Sequence, residues 1–191
     1  MRVVVAGGGL AGLVAARRAL ELGAGVILLE KGDRLGGSFV YSSGYIWTYK
    51  DLPTFRREAP GGDEALQRLI LERLAPGLSW LEDLGAPVLA RETSNPLTSG
   101  FRFAPGPTVE ALSDGIVASG GRVLLGAALE ELVLDARGRL TGARLATARG
   151  HQVLETDAVI LASGGFAANL ELVGRYITGG RGELRLRAHP W

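Results

Sequence analysis

The sequence predicts an α/β fold: a doubly wound parallel sheet carrying an antiparallel three-strand meander and a helical insertion. Three observations predict it. Val3 to Ala6 and Gly25 to Glu30 are short apolar runs without polar alternation, as strands buried on both faces require. Leu10 to Leu22, between them, repeats its apolar residues at helical spacing, so the order reads strand, helix, strand. Further on, Ala158 to Ala162 is another fully apolar run, leading into Ser163-Gly164-Gly165. Two strands joined by a crossover helix lie parallel with a right-handed connection, which starts a doubly wound sheet.

The other elements follow from spacing and punctuation. Residues 31–62 have no regular period and are rich in Gly, Ser and aromatic residues, which predicts a long functional loop with a short strand at Tyr45 to Tyr49. From Asp63 to Leu84 the apolar positions Leu66, Leu69, Ile70, Leu74, Leu78, Leu81 and Leu84 predict two amphipathic helical pieces broken at Pro76-Gly77, with Gly85 as C-terminal cap. Residues 91–107 hold Asn95-Pro96, Ser99-Gly100 and two more prolines, and read as a loop or an excursion. A helix over Pro107 to Ser119, a Gly120-Gly121 turn and a strand at Val123 to Leu125 come next. The meander is Leu129 to Leu134, Leu140 to Ala146 and Gln152 to Glu155, joined by glycine-containing turns. A helix from about Asn169 to Tyr176 ends the periodic sequence, and the tail after Gly179 is basic. Residues 1–191 therefore read as one domain, with 50–107 as a helical and loop insertion.

Composition narrows the function classes. The chain has 21 basic and 20 acidic residues, a formal net charge of +1 with the signs interspersed, which points to neither nucleic acid nor an anionic lipid surface as partner. Arginine outnumbers lysine 19 to 2, which reads as coding bias and not as phosphate recognition. There is no cysteine, so disulfides, thiolate metal sites and a cysteine nucleophile are excluded, and any redox chemistry comes from a bound cofactor. No apolar run approaches the ~20 residues that cross a bilayer. The early glycines and Arg17-Arg18 argue against a secretory signal. The expectation is a soluble, cytoplasmic protein.

The sharpest motif is Gly7-Gly8-Gly9-Leu10-Ala11-Gly12, a GxGxxG between strand and helix, with Glu30 ending the second strand 18 residues beyond Gly12. That context is Rossmann-like. Gly7 makes the tight turn, Gly9 lets the backbone approach a pyrophosphate, and Gly12 lets the helix pack close to the sheet. The helix N-terminus offers N–H groups and a positive dipole end to the phosphates. Glu30 would accept hydrogen bonds from ribose hydroxyls. A 2′-phosphate ~4 Å from that carboxylate would be repelled by roughly 4 kcal/mol per charge pair at an effective dielectric near 20, which disfavours NADP and leaves FAD or NAD.

Two further clusters bear on that choice. Glu30-Lys31-Gly32-Asp33-Arg34-Leu35-Gly36-Gly37-Ser38, followed by Ser42-Ser43-Gly44, supplies backbone donors and small side chains that can run beside a pyrophosphate, ribityl chain or flavin edge. An NAD enzyme has no need of it. Ala162-Ser163-Gly164-Gly165-Phe166 follows the apolar strand on the side where open α/β sheets bind ligands.

Taken in order, Gly7 to Gly12 with Glu30-Lys31, Gly36-Gly37-Ser38 with Ser43-Gly44-Tyr45-Ile46-Trp47, Gly121 to Leu134, and Ala162 to Phe166 with Asn169 and Arg175-Tyr176 resemble a known family. It is the FAD-binding part of the fumarate reductase and succinate dehydrogenase flavoprotein superfamily, nearest to the soluble FAD-dependent dehydrogenases that include 3-ketosteroid dehydrogenases. The resemblance implies that Ala11, Glu30, Ser38, Ser43 and Gly44 contact FAD and that the backbone at Leu129 meets the adenine. With the motif residues, the expected cofactor set is Gly7, Gly9, Leu10, Ala11, Gly12, Glu30, Lys31, Gly36, Gly37, Ser38, Ser43, Gly44, Leu129, Ala162, Ser163 and Gly164. No metal site is expected.

There are departures from the family pattern. Phe39 stands where relatives often carry a threonine beside the pyrophosphate, and Ser163 replaces a commoner threonine while keeping the hydroxyl. Covalent members attach FAD through a histidine in the first flavin loop; here the histidines are His151 and His189, so non-covalent FAD is expected. Family enzymes run some hundreds of residues longer, and that part supplies the substrate cap, the catalytic acid or base and a late glycine-acid segment.

The implied chemistry is dehydrogenation or reduction of a CH–CH bond in a small-molecule substrate by hydride transfer to or from the flavin. Tyr41, Tyr45, Trp47 and Tyr49 are candidates for a face favouring an apolar or aromatic substrate, with packing in the protein as the preferred alternative. His151 and His189 read as solvated, Arg181, Arg185 and Arg187 as a solvated segment, and Glu130 and Glu131 as neighbours pointing to opposite strand faces. No catalytic residue is identified. Two other readings remain open: a non-catalytic dinucleotide-binding module or half of a split enzyme completed by a partner chain, and an NAD dehydrogenase, against which the Gly36 to Gly44 cluster argues.

Overall fold

The computed structural model describes residues 1–167 and 169–178. In chain order the elements are β1 (Arg2–Ala6), α1 (Leu10–Glu21), β2 (Gly25–Glu30), a 3₁₀ turn (Gly37–Tyr41), β3 (Tyr45–Tyr49), α2 (Leu52–Glu58) and α3 (Glu64–Asp83). There follow β4 (Val88–Ala90), β5 (Thr98–Phe103), α4 (Pro105–Ala118), β6 (Arg122–Leu125), β7 (Ala127–Leu134), β8 (Leu140–Thr147), β9 (Gly150–Glu155), β10 (Ala158–Leu161) and α5 (Leu170–Val173). They form two compact units: Met1–Ser38 with the chain from Ser113 onward, and Phe39–Leu112.

The first unit contains the predicted parallel sheet, in the order β10-β1-β2-β6. Val4 lies opposite Ile27 and Val159, and Leu29 opposite Leu124, so these side chains share a face. The meander β7-β8-β9 covers that face, joining Val4 and Leu29 to Ala127, Ala143 and Leu145 in one buried cluster. Val3, Val5, Val26 and Leu28 alternate to the opposite face, and all are buried. Helix α1 supplies the fully buried Leu13 and Ala16. Cover on both faces is the physical reason β1 and β2 lack polar alternation. β10 is an edge strand, with Leu161 64% exposed.

The two chain segments that frame β1 are tied by polar bonds. The Arg2 amide donates to Asp157 Oδ2 at 2.6 Å, the Asp157 amide donates to the Arg2 carbonyl at 3.0 Å, and the Thr156 hydroxyl donates to that same carbonyl at 3.0 Å. At the β7–β8 turn Asp135 Oδ1 accepts from the amides of Arg137 and Arg139 at 2.8 and 3.0 Å. The β7–β8 register slips between Leu129 and Glu131, leaving Glu130 as the extra residue of a bulge.

The second unit is a three-stranded antiparallel sheet, β3-β5-β4, with α2 and α3. Three expectations change here. Residues 98–103, read as loop, form the central strand β5. Gly100 misled the reading: a Cβ there would overlap the Ile46 carbonyl, so the glycine serves close strand pairing and not a turn. Residues 52–58, also read as loop, are helix α2, started by Asp51, whose carboxylate accepts from the Thr54 amide at 2.7 Å.

The third change is in α3, which is one continuous helix through Pro76 and not two pieces. Pro76 and Gly77 are exposed, so the carbonyl freed by the missing N–H meets water, while buried Leu78 and Leu81 hold the following turn in place. The apolar stripe is buried only in part: Leu66, Leu69 and Ile70 are 60%, 49% and 43% exposed. Buried Gln67 anchors the first half instead, its Nε2 donating to the Ala59 carbonyl at 2.9 Å and its Oε1 accepting from Arg56 at 3.2 Å. Gly85 caps the helix as expected, with φ +89° and the amides of Gly85 and Ala86 bonded to the carbonyls of Glu82 and Leu81.

The terminal helix is shorter than expected, with α5 giving way to a π-type turn over Gly174–Thr178. His189, Arg181, Arg185 and Arg187 lie outside the described residues. No helix among the described residues is long and apolar enough to cross a membrane.

Two stability predictions follow from these contacts. Pro76→Ala restores a helical N–H at an exposed position and is expected to stabilise the second unit by about 2 kcal/mol, read as a raised thermal midpoint by circular dichroism. Asp157 is held below the ordinary carboxylate range, chiefly by the Arg2 amide hydrogen bond and secondarily by the Arg2 and N-terminal charges, against an opposing burial effect. A depressed folded pKa stabilises fully above the unfolded value near 4, and that contribution is lost as pH falls through the folded value. Asp157→Asn is therefore expected to flatten the fall of thermal midpoint with acidification; an unchanged slope rejects the role.

Candidate functional site

The site grows from the turn that ends β1. The Gly7 amide donates to the Leu29 carbonyl at 2.8 Å, and Gly7 has φ +113°, where a Cβ would also overlap the Ala162 carbonyl oxygen. A Cβ at Gly12 would overlap the Gly7 carbonyl oxygen, so the first turn of α1 sits directly on the loop. Gly9 is different. It has ordinary extended backbone, φ −72° and ψ 178°, and a Cβ there would meet nothing within 4 Å.

Gly9 is also the N-cap of α1, and no side chain among the described residues caps the helix or places a carboxylate in its first turn. The amides of Leu10, Ala11 and Gly12 are consequently donors without an intrahelical acceptor, at the positive end of the helix dipole. Such an end is an anion site.

Glu30 closes the frame. Its Oε2 accepts from the Gly8 amide and its Oε1 from the Gly32 amide, each at 2.8 Å. The Gly36 amide donates to the Gly8 carbonyl at 2.8 Å, and Gly9 and Gly36 form an isolated parallel bridge. Each Glu30 oxygen keeps a second acceptor direction, so the carboxylate can hold the turn and still receive two hydroxyl hydrogens.

A cleft of about 620 Å³ opens in front of this frame, within the first unit. Of the predicted residues, Gly7, Gly9, Glu30, Lys31 and Ser38 line it from the β1 and β2 ends, Leu129 from β7, and Ala162, Ser163 and Gly164 from the end of β10. Leu10, Ala11 and Gly12 are in the first turn of α1, and Gly36 and Gly37 in the segment bridged to Gly8 and Gly9; none of these five lines the cleft. Ser43 and Gly44 belong to the second unit, where the Ser43 carbonyl accepts from Arg102 Nε at 2.9 Å and a Cβ at Gly44 would overlap the Phe103 carbonyl.

The cleft also has walls that sequence reasoning missed: Ala127 and Ala128, and both Glu130 and Glu131. The expectation that the two glutamates face apart fails because the bulge breaks the strand alternation. Nothing in the sequence marks that bulge. Glu130 pairs with His151 Nδ1 at 2.8 Å and Glu131 with Arg144 at 3.0 Å, so His151 is exposed but not unpartnered. Among the described residues no group of three or more His, Asp or Glu is placed to hold a metal ion. Of the four aromatic candidates, Tyr49 packs on Phe55 at 5.1 Å, whereas Tyr41 and Trp47 are 61% and 49% exposed.

Residues 2–173 match the model of the FAD-dependent oxidoreductase family. The chain belongs to that family. It is 27% identical to the NADH:fumarate oxidoreductase of Klebsiella pneumoniae, with 91% of this chain and 21% of that protein aligned. It is 28% identical to the vinyl phenol reductase of Lactiplantibacillus plantarum, with 90% and 39% aligned. A flavocytochrome c3 fumarate reductase superposes with a TM-score of 0.81 at 26% identity, covering 93% of this chain and 36% of that one. The 3-ketosteroid-Δ4-(5α)-dehydrogenase of Rhodococcus jostii RHA1 superposes with a TM-score of 0.82 over 98% of this chain and 51% of that one; at 21% identity it shows the fold. The chain thus spans about a fifth to two fifths of the length of these curated relatives.

FAD is the cofactor of this family, and the cradle fits its adenosine diphosphate half. The uncapped α1 amides suit a diphosphate, the open face of Gly9 leaves room for it, and the fixed Glu30 carboxylate suits a ribose diol.

The glycines separate fold from ligand. Gly9→Ala is expected to cost no more than about 1 kcal/mol of stability, the difference between these residues at an N-cap, while weakening ADP binding by calorimetry at least about tenfold, because the new methyl group projects where nothing now stands. Gly12→Ala is expected to lower the thermal midpoint sharply. If the two variants behave alike, the assignment of Gly9 to a ligand is wrong.

Proposed function

We propose that the chain is the FAD-binding part of an oxidoreductase that adds or removes hydrogen across a CH–CH bond of a small-molecule substrate. The observation that carries the reading is the pairing of an uncapped helix N-terminus with a carboxylate held by two backbone amides at the head of one cleft. The α1 amides and Gly9 bind the pyrophosphate, Glu30 the adenosine ribose, and the Leu129 backbone with Ala127 and Ala128 flanks the adenine. The backbone at Ala162, Ser163 and Gly164 and the Ser38 hydroxyl line the way toward the flavin half, and the family resemblance adds Ser43 and Gly44 to the FAD contacts. In this reading residues 1–191 are one FAD-binding domain and 50–107 its insertion.

When bound, FAD supplies hydride acceptance or donation at the flavin ring; the residues described here orient it and set its electrostatics. Attachment is non-covalent: the sequence has no cysteine, and the described histidine, His151, is committed to Glu130. Relatives named as fumarate and vinyl phenol reductases support a CH–CH reaction. Because they are so much longer, the proton-transferring group and the cover over the substrate belong to protein beyond the residues aligned here, on this polypeptide or a partner chain. Cytoplasmic residence is part of the proposal and rests on the early glycines and Arg17-Arg18, which argue against a secretory signal.

Added FAD is expected to bind saturably, with loss of its free fluorescence, and ADP is expected to compete. Adenosine 2′,5′-bisphosphate is expected to compete at least about tenfold less well, because its 2′-phosphate meets Glu30. Acid precipitation should leave all the flavin in the supernatant. A preparation that takes up no FAD rejects the reading, and flavin pelleting with the protein rejects the non-covalent part.

A further inference from the structure

The second unit carries a pocket of its own, about 220 Å³, bounded by Ser43, Tyr45, Trp47 and Thr98 and by the loop Thr93-Ser94-Asn95. Its lining contains aromatic rings, hydroxyls and one amide, and no charged residue.

The register explains why the rings are available. Tyr45, Trp47 and Tyr49 alternate onto one face of β3, and Trp47 pairs with Gly100 on β5. No cross-strand side chain therefore covers the indole, and none can, because a Cβ at Gly100 would overlap the Ile46 carbonyl. Trp47 touches Tyr49 edge-on, with centroids 5.6 Å apart, and is still 49% exposed. An indole held at one edge with an open flank is a low-entropy platform for another ring.

The rim is organised by hydrogen bonds. The hydroxyls of Thr93 and Thr98 lie 2.7 Å apart, and each is 3.1 Å from the Asn95 carbonyl. Asn95 Oδ1 accepts from the Leu97 amide at 2.9 Å, which turns the side-chain NH₂ into the group available to a ligand. The nearby cation is committed: Arg102 stacks over the Tyr45 ring at 5.7 Å and donates to the Ser43 carbonyl at 2.9 Å. A dicarboxylate entering this pocket would lose hydration with no cation in the lining to replace it.

We propose that this pocket binds the ring of a neutral aromatic substrate bearing a hydroxyl, with the ring against Trp47 and the hydroxyl at Ser94 and Asn95. Calling that ligand a substrate rests on the oxidoreductase reading above; the binding itself does not.

The test titrates the full chain by calorimetry with 4-ethylphenol and, in parallel, with succinate. Saturable binding of the phenol without binding of succinate is expected. Trp47→Ala should weaken the phenol five- to tenfold, consistent with loss of one aromatic contact. Ser94→Phe, a change at an exposed loop position that leaves the sheet intact, should block it. FAD uptake by each variant is measured in the same preparations. Absence of phenol binding, equal binding of succinate, or an unchanged phenol affinity in Ser94→Phe overturns the pocket assignment even where FAD still binds. Phenol binding without FAD uptake sustains the pocket and overturns the cofactor reading instead.

Discussion

A loop made of Gly7, Gly8 and Gly9 has no side chains with which to hold its own shape, and the Glu30 carboxylate does that from outside. One oxygen takes the Gly8 amide and the other the Gly32 amide, so a single residue joins the loop after β1 to the loop after β2. Hydrogen bonds to an ionised group contribute roughly 1.5–3 kcal/mol each, which is enough to offset much of the entropy of ordering glycine. The same carboxylate faces the cleft. Its proposed ligand role and its framing role thus cannot be separated by removing the side chain, whereas Gly9 and Gly12 divide cleanly between cleft and fold.

The second constraint is that the parallel sheet is covered on both faces. Helix α1 takes one face and the meander the other, and the meander brings with it the opposite wall of the cleft. The bulge at Glu130 then puts two consecutive acids on one side of the strand, where cross-strand partners His151 and Arg144 meet them. The wall is built from a register irregularity and not from a motif.

That difference explains what the sequence disclosed. Strands β1 and β2, helix α1, the meander and the Gly85 cap were legible because each rests on local spacing or on a residue with one dominant use. Strand β5 was not, because Gly100 is a turn former by composition and becomes a strand residue only when Ile46 lies beside it. Pro76 reads as a break, yet exposure lets water satisfy the freed carbonyl and Leu78 and Leu81 carry the helix through. Within the site, Gly7, Glu30 and Leu129 were readable from motif and resemblance. Ala127, Ala128 and the paired glutamates were not, since what places them is tertiary pairing. Trp47 was expected to be packed; its exposure depends on the absence of a side chain across the strand.

The Arg2–Asp157 pairing joins positions 155 apart in the chain, and the Gly7 turn rests against the Ala162 carbonyl delivered by the same late strand. Contacts so distant in sequence close late and slowly, after the loop entropy of all the intervening residues has been overcome. A ribosome emitting this chain would therefore release β1, α1 and β2 long before β10 completes the cleft, and cofactor capture waits for that strand. Ligand present at that moment would lock β10 in place by mass action, so that binding and the closing of the sheet reinforce each other.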